Sequence, residues 1–245
     1  MYENSNFAII TPLANEETEF HPFVAALTKV LDQLKSGTVY FVVDKVSQDR
    51  TLSLCEELSK KDQRFITVWA PENRHLVDAY IRGYKVALEN NHDIIIEMDA
   101  GLSHDPRAIP MFLRVLNEGN DCAFGSRFIV GGSIYKSSYK RTLLSKGGTI
   151  LSNLLLGTKM YDMTSGYQGF HARVVEQFVN YPLLSKGHFY QTELRYLLRK
   201  KRYAEVPIHY RAPSPNVSWG SIHNSLRALW HYFKKRLCLR PVTID

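Results

Sequence analysis

The sequence predicts an α/β fold, with a mostly parallel central sheet carrying helices on both faces. Three observations predict it. Across the first half of the 245 residues, strand-like runs alternate with segments of helical period. The strand-like runs are apolar throughout, as strands covered on both faces are. Between successive runs lies enough chain for a crossover helix.

Phe7-Ala-Ile-Ile-Thr11 reads as a buried strand. A helix follows, with Pro22 just inside its start and Phe23, Leu27, Val30, Leu31 and Leu34 on one face. Thr38–Val43 is β-branched and aromatic and makes a second strand. Asp49 caps a helix through Leu52, Leu54 and Leu58. Phe65–Ala70 is a third strand, and Leu76–Asn90 a helix with Val77, Tyr80, Ile81, Tyr84 and Leu88 together. Asp93–Met98 is a fourth strand, too apolar to have a wet face, and Asp105-Pro106 opens the next helix. Cys122–Gly125 is a short fifth strand. Residues 221–240 form a last helix, striped by Ile222, Leu226, Leu229, Trp230, Phe233 and Leu237. The expected organisation is one domain over 1–219 and a basic amphipathic helix over 220–245.

Open α/β sheets bind ligands beyond the carboxyl ends of their strands. Here those ends are Thr11–Glu16, Asp44, Ala70–Arg74, Asp99–Asp105 and Ser126-Arg127. They are rich in carboxylates and polar groups, which suits a nucleotide-sugar site. Neither GxxxxGK[ST] nor GxGxxG occurs, which argues against a P-loop ATPase or a standard dinucleotide enzyme.

Charge is unevenly spread. The net +7 comes from 31 basic and 24 acidic residues. Residues 1–121 hold 12 basic and 19 acidic, residues 122–161 hold 6 basic and no acid, and residues 193–245 hold 11 against 3. A negative partner therefore belongs with the second half. Nucleic acid is not expected, because the first half is acidic and no nucleic-acid motif is present. Cys55, Cys122 and Cys238 are isolated and form no CxxC, so a reducing cytoplasm is the simplest setting. The amino-terminal segment lacks a signal-peptide pattern, and no apolar run approaches the ~20 residues of a membrane span.

The end of the fourth strand reads Glu97-Met-Asp-Ala-Gly-Leu-Ser-His-Asp-Pro106. This resembles the DxD region of family 2 glycosyltransferases of the Rossmann-like GT-A fold, most closely the polyprenol-phosphate (dolichol-phosphate) mannosyltransferase branch. Other segments agree in order: Thr11–Glu17 with PxxNE, Val43–Thr51 with VDDxSxDxT, Ala79–Ala87 with AYxxGxxxA, and Gly125–Gly132 with GSRFxxGG. Arg141–Gly147 resembles RxxLSxG and Asp162–Phe170 resembles DxTSGFxxF/Y. Phe189–Glu193 and Glu205–Ile208 complete a series spanning roughly residues 7–219.

The resemblance implies an inverting glycosyltransferase that moves a hexose, mannose favoured, from a nucleotide diphosphate sugar, GDP-mannose favoured, to a polyprenyl phosphate. Asp99 would hold Mg²⁺ or Mn²⁺ against the donor diphosphate, with Ala100 beside it. The second DxD carboxylate is replaced by Gly101, which should lower metal affinity; Ser103 or Asp105 can assist, although Asp105 also suits a helix cap. Asp44 would hold the nucleobase, next to Lys45 where the family has a second Asp. Pro12, Asn15 and Glu16 would line ribose and base, or cap the first helix.

Arg127, Arg141 and Ser145 are implied at the acceptor phosphate. Guanidinium forks suit phosphate, and no acid interrupts their segment. Arg141 and Ser145, four apart, share a helix face. A phosphate acceptor is already a nucleophile, whereas a sugar hydroxyl needs a base. Asp99 and Arg127 are thus the catalytic candidates. Glu193 joins them as the base for a hydroxyl, or else pairs with Arg195 or Arg127. Gly131-Gly132 and Ser133–Ser138 suit a loop that closes over the donor. After Ile208, Pro213, Asn216, Ser218 and Trp219 stand where the family carries an Arg and GxSK, with Arg211 close enough to compensate. The last helix, with Arg227, Lys234, Lys235, Arg236 and Arg240, suits either a membrane interface or packing on the domain or on a partner. The expected location is peripheral, at the cytoplasmic face of a membrane, with a membrane protein as a further partner. Two other functions fit the same residues. One is transfer to a saccharide in surface-glycan synthesis; the other is a degenerate nucleotide-sugar-binding protein without transfer activity.

Overall fold

The computed structural model describes residues 5–135, 139–211 and 219–244, with only the backbone of Lys140, Arg141, Trp219 and Ser221. β1 (Phe7–Leu13) leads into α1 (Glu17–Leu34), β2 (Thr38–Val43) into α2 (Thr51–Lys61), and β3 (Phe65–Trp69) into α3 (Leu76–Glu89). β4 (Ile94–Glu97) reaches α4 (Ile109–Asn117) through a short turn of 3-10 helix at Pro106–Ala108, and β5 (Cys122–Ser126) follows. All five strands and four helices expected of this half are present. Beyond them the structure adds β6 (Ser133–Tyr135), α5 (Tyr139–Leu156), β7 (Gln168–His171), α6 (Ala172–Phe178), α7 (Phe189–Leu197), β8 (Tyr203–Pro207) and β9 (His209–Arg211), before α8 (Trp219–Leu237).

Among the described residues, seven strands form one sheet in the order β3-β2-β1-β4-β7-β5-β8, and β6 pairs with β9. Neighbours run parallel except β7, which lies antiparallel between β4 and β5. β7 is four residues, Gln-Gly-Phe-His, so it carries no apolar run to betray it. Its Gly169 lies against the side chains of Leu116 and Phe112, where a Cβ would stand 3.2 Å from each.

Two apolar cores flank the sheet. One holds Phe20, Phe23, Phe41, Phe65 and Phe112 under α1, α2 and α4. The other holds Tyr80, Tyr84, Phe170, Phe178 and Tyr190 under α3, α6 and α7. α7 is buried from Tyr190 to Leu197, as a helix roofed on all sides must be.

Three expectations are corrected. Helix α1 begins at Glu17, so Pro22 lies a full turn inside it. Its amino end is held from outside: Glu16 N donates to Thr51 Oγ1 (2.8 Å) and Glu17 N to Asp49 Oδ2 (3.0 Å). Of the settings open to the helix after residue 219, packing on the domain holds for one side of it, where Leu229 and Tyr232, with Ile244 beyond the helix, join the second core. Its apolar stripe is not one face. Ala228, Leu229 and Tyr232 point inward, while Leu226, Trp230 and Leu237 are exposed. Arg236, counted among the charges available to a membrane interface, instead caps α5, donating to the carbonyls of Leu154 (2.9 Å) and Leu155 (3.0 Å).

Candidate active site

The strand order reverses between β1 and β4, and a cleft of about 980 Å³ opens beyond the carboxyl ends there. One wall comes from the first half: Pro12, Glu16, Glu19, Asp44 and the Asp99–His104 turn. The other comes from Arg127, Leu144 and Ser145 of α5, Thr164–Gly166, Gly187–Phe189, Gln191 and Arg211.

On the first wall, Asp99 is fixed on two sides. Its Oδ1 accepts from Tyr80 Oη (2.8 Å), and its backbone N donates to His104 Nδ1 (2.9 Å). That acceptor role leaves the proton of the neutral ring on Nε2, 3.7 Å from Asp99 Oδ2. Burial works to raise the Asp99 carboxyl, but His104, His188, the Tyr80 hydroxyl and Arg127 together hold it below the ordinary value. His104 is buried against Tyr167, and that burial shifts it downward. Glu16 is shifted the other way, by burial and then by Glu19, Asp49 and Asp99.

Pro12, Glu16, Asp44, Asp99 and Ala100 all line the cleft. Asn15 does not. It sits at φ +58° and stitches two loops, its Oδ1 accepting from Gln48 N (2.9 Å) and its Nδ2 donating to Val46 O (3.2 Å). Asp44 accepts from Val46 N (2.9 Å), and Lys45 is exposed outside the lining. Asp105 caps the 3-10 turn through Arg107 N and pairs with the Arg107 side chain, so it is occupied away from the cleft.

The second wall is built on a buried pair. Arg127 Nε and Nη2 donate to Asp162 Oδ2 (2.7 Å) and Oδ1 (2.9 Å), and Nη2 also to Thr164 Oγ1 (2.6 Å). Burial opposes ionisation of Asp162, but the Arg127 contacts and the charge of Arg195 hold its carboxyl below the ordinary range. Arg195 lies fully buried behind it, donating to the carbonyls of Asp162, Gly125 and Ser165, and burial lowers it to about 10. The expectation of an acid-free surrounding for Arg127 is therefore corrected: Asp162, the residue just past the basic block, takes one edge of its guanidinium. Nη1 alone has no hydrogen-bond partner among the described residues.

Glu193 is corrected as well. It is 1% exposed, lies outside the cleft lining, and accepts from Leu184 N (2.8 Å), Ser185 N (2.9 Å) and Tyr232 Oη (2.6 Å). It pairs with neither Arg195 nor Arg127; it ties α7 to α8. Ser145 lines the cleft, while the side chain of Arg141 and residues 136–138, 213, 216, 218 and the Trp219 side chain lie outside the described residues. Arg211 lines the cleft, as its proximity to the lost basic motif suggested.

Sequence reasoning passed over Tyr80, His104, His188 and Gln191. Gln191 is 3% exposed and lines the cleft, and its Nε2 has no partner. Tyr80 read as one more apolar residue on a helix face, and only its hydroxyl marks it. No cluster of three His, Cys, Asp or Glu side chains shaped for a metal occurs among the described residues. The oxygen-rich Asp99 wall still fits a hard cation that takes its remaining ligands from phosphate and water.

The sequence model described as Glycosyl transferase family 2 matches residues 8–179. A polyprenol monophosphomannose synthase of Mycolicibacterium smegmatis is 29% identical over 225 residues, covering 91% of this chain and 83% of the relative. An undecaprenyl-phosphate mannosyltransferase of Micrococcus luteus is 29% identical over 194 residues, 78% of this chain and 79% of the relative. A dolichol-phosphate mannosyltransferase of Pyrococcus furiosus is 32% identical over 165 residues, 67% of this chain and 45% of its own length. Among solved structures, glucosyl-3-phosphoglycerate synthase of Mycobacterium tuberculosis with UDP superposes at TM-score 0.66 with 15% identity, over 97% of this chain and 82% of that one. The same enzyme with Mn²⁺, UDP and phosphoglyceric acid gives 0.63 over 99% and 80%. At that identity the likeness concerns the fold.

Proposed function

The chain belongs to glycosyl transferase family 2, has a GT-A-like fold and is a glycosyltransferase, and from that premise we propose that it transfers mannose from GDP-mannose to a polyprenyl phosphate, with inversion, at the cytoplasmic face of a membrane. The relatives named above support the sugar and the acceptor. The observation that carries the reading is the asymmetry of the cleft. Its carboxylates, Glu16, Glu19, Asp44 and Asp99, all stand on the first wall. Among the described residues, the second wall offers Arg127, Arg211 and Ser145 and no carboxylate base. Such a wall fits a nucleophile that is already an anion.

An acceptor phosphate oxygen attacks the anomeric carbon, and the bond from that carbon to the diphosphate oxygen breaks on the opposite side. Asp99 is the residue that would hold a divalent cation, Mg²⁺ or Mn²⁺, which would neutralise the departing diphosphate. Tyr80 and the backbone contact to His104 fix Asp99 for that task. Pro12 and Asp44 border the nucleoside. Arg127 offers the acceptor one nitrogen, Nη1, rather than a fork, because Asp162 and Thr164 occupy the rest. Ser145, with Arg141 one helical turn earlier, completes the acceptor side.

Leu143, Ile150 and Leu154 on α5, with Leu226, Trp230 and Leu237 on α8, are the exposed apolar residues proposed to meet the bilayer. No helix among the described residues is long and apolar enough to cross a membrane. A saccharide acceptor is the alternative, and it would need a base such as His188, which lines the second wall.

Purified protein incubated with labelled nucleotide sugars, polyprenyl phosphate and Mn²⁺ should place label from GDP-mannose in the extracted lipid phase. No lipid-linked sugar from any donor would sink the proposal. Label on a glycan supports the saccharide acceptor, and donor binding without turnover supports a protein that has lost transfer.

A further inference from the structure

Gly101 removes the second carboxylate from the Asp99-Ala-Gly turn, yet its place is not vacant. The residue has φ +70°, and a Cβ added there would stand 2.9 Å from Glu16 Oε2. The carboxylate of Glu16, delivered from the loop after β1, fills the space that a side chain at 101 would claim. Its position is imposed by neighbours. Glu16 N is tied to Thr51 Oγ1 (2.8 Å), and Asn15, at φ +58°, locks the preceding turn to residues 46–48. The Glu16 side chain has no hydrogen-bond donor and no ion-pair partner among the described residues, although it faces the same cleft as Asp99. The Asp99 charge is felt at Glu16, and no cation among the described residues pairs with the Glu16 carboxylate.

We infer that Glu16 supplies the missing second carboxylate and, with Asp99, holds the divalent cation of the bound nucleotide diphosphate sugar. The inference rests on the proposed donor chemistry and moves Glu16 from the nucleoside, where the sequence put it, to the diphosphate. Loss of Asp at 101 and recruitment of Glu16 are then one change: any side chain at 101 would push the Glu16 carboxylate aside. A hard cation accepts carboxylates from separate loops and completes its shell with phosphate oxygens and water.

The test is Mn²⁺ binding, read as loss of the free-ion electron paramagnetic resonance signal, with GDP or UDP present. Wild type should bind the ion. Glu16→Gln, which keeps size and removes charge, should weaken binding about ten-fold or more, since loss of even an outer-shell partner costs that much at other metal sites. Glu16→Ala/Gly101→Asp, which clears the space and returns a carboxylate to 101, should bind more tightly than Glu16→Ala. Asp tolerates the left-handed region this requires. Metal-free GDP affinity should not fall in Glu16→Gln, because the change removes a negative charge that repels the diphosphate. The inference is overturned if Glu16→Gln keeps wild-type Mn²⁺ affinity, if wild type binds no Mn²⁺ with either diphosphate, if the swap binds no better than Glu16→Ala, or if Glu16→Gln loses metal-free GDP affinity. Lipid transfer is scored separately. Transfer by wild type with Mn²⁺ binding indifferent to Glu16 sinks the inference and spares the function; the converse result does the reverse.

Discussion

The two walls of the cleft handle charge in opposite ways. On the first wall, the Glu16 carboxylate accepts no hydrogen bond among the described residues, Asp44 and Asp99 accept one each, from Val46 N and Tyr80 Oη, and the loops are tied mainly by Asn15, Ser47, Asp49 and Thr51. On the second wall the functional group is part of the scaffold. Arg127 is locked to Asp162, and Asp162 is in turn surrounded by Thr164 N, Arg127 N and the buried Arg195. A carboxylate set aside for a cation must be left unneutralised, whereas a guanidinium that recognises one phosphate gains by being rigid. The difference teaches that net charge along the sequence locates a partner only where the charges are not already spent on one another.

The largest break in this comparison is Asp162→Asn. It leaves Arg127 buried without its counter-charge, and the loss should be about 3–5 kcal/mol. Denaturant unfolding measures it. The wild-type pH profile gives an independent check. The Asp162 carboxyl is held below its unfolded value, so its contribution is complete above the unfolded pKa and disappears as pH falls through the folded one. Asp162→Asn should flatten that acid limb. Equal stability of variant and wild type would mean that the second wall does not depend on the pair.

The first wall was largely legible in the sequence, and the second only in part, for a physical reason. Strands β1 to β5 are apolar runs whose carboxyl ends follow from topology, and the family resemblance then picked out Pro12, Glu16, Asp44, Asp99 and Ala100 within those ends, along with Asn15, which turned aside to tie loops. β7 escaped because four residues with a central glycine carry no period. Asp162 was visible as a motif residue, but its partner lies 35 positions away, and only the fold brings them to 2.7 Å. Glu193 looked catalytic because a carboxylate beside a motif is conspicuous; its three donors come from a loop and from α8, which sequence spacing does not connect. Arg236 misled in the same manner.

Glu97 joins the walls beneath Asp99 and offers a second, smaller break. Tyr84 of α3 and Tyr190 of α7 donate hydroxyls to its Oε2, and Gln168 of β7 donates to Oε1 at 2.8 Å. Burial pushes its carboxyl up to about 7 despite these donors. With the folded value above the unfolded one, the folded state holds the proton longer. This group's contribution to stability should therefore fall as pH rises from about 4.5 to about 7 and level off above that. Glu97→Gln stays neutral throughout and should remove that slope, by up to about 3 kcal/mol across the window. Parallel profiles for the two proteins, measured by denaturant unfolding at several pH values, would show that the joint does not titrate in this range.

The smallest expected effect concerns unspent charge on α8, outside the cleft. Arg236 is consumed in capping α5, but Lys234 and Lys235 remain exposed beside Trp230, with Lys234 Nζ 5.9 Å from the indole ring. If α5 and α8 rest on an anionic bilayer, each lysine should add about five-fold to partitioning. Lys234→Gln/Lys235→Gln should then lower binding to phosphatidylglycerol vesicles by roughly twenty-fold, while binding to neutral phosphatidylcholine vesicles changes little. Raising salt should erase the difference between variant and wild type, because surface charges are screened within a Debye length. Trp230→Glu should reduce binding to both vesicle types, since its contribution is apolar burial. Charge-insensitive binding of the double lysine variant would separate the two contributions: the basic end of the chain would serve another partner, and the exposed apolar residues alone would account for contact with lipid.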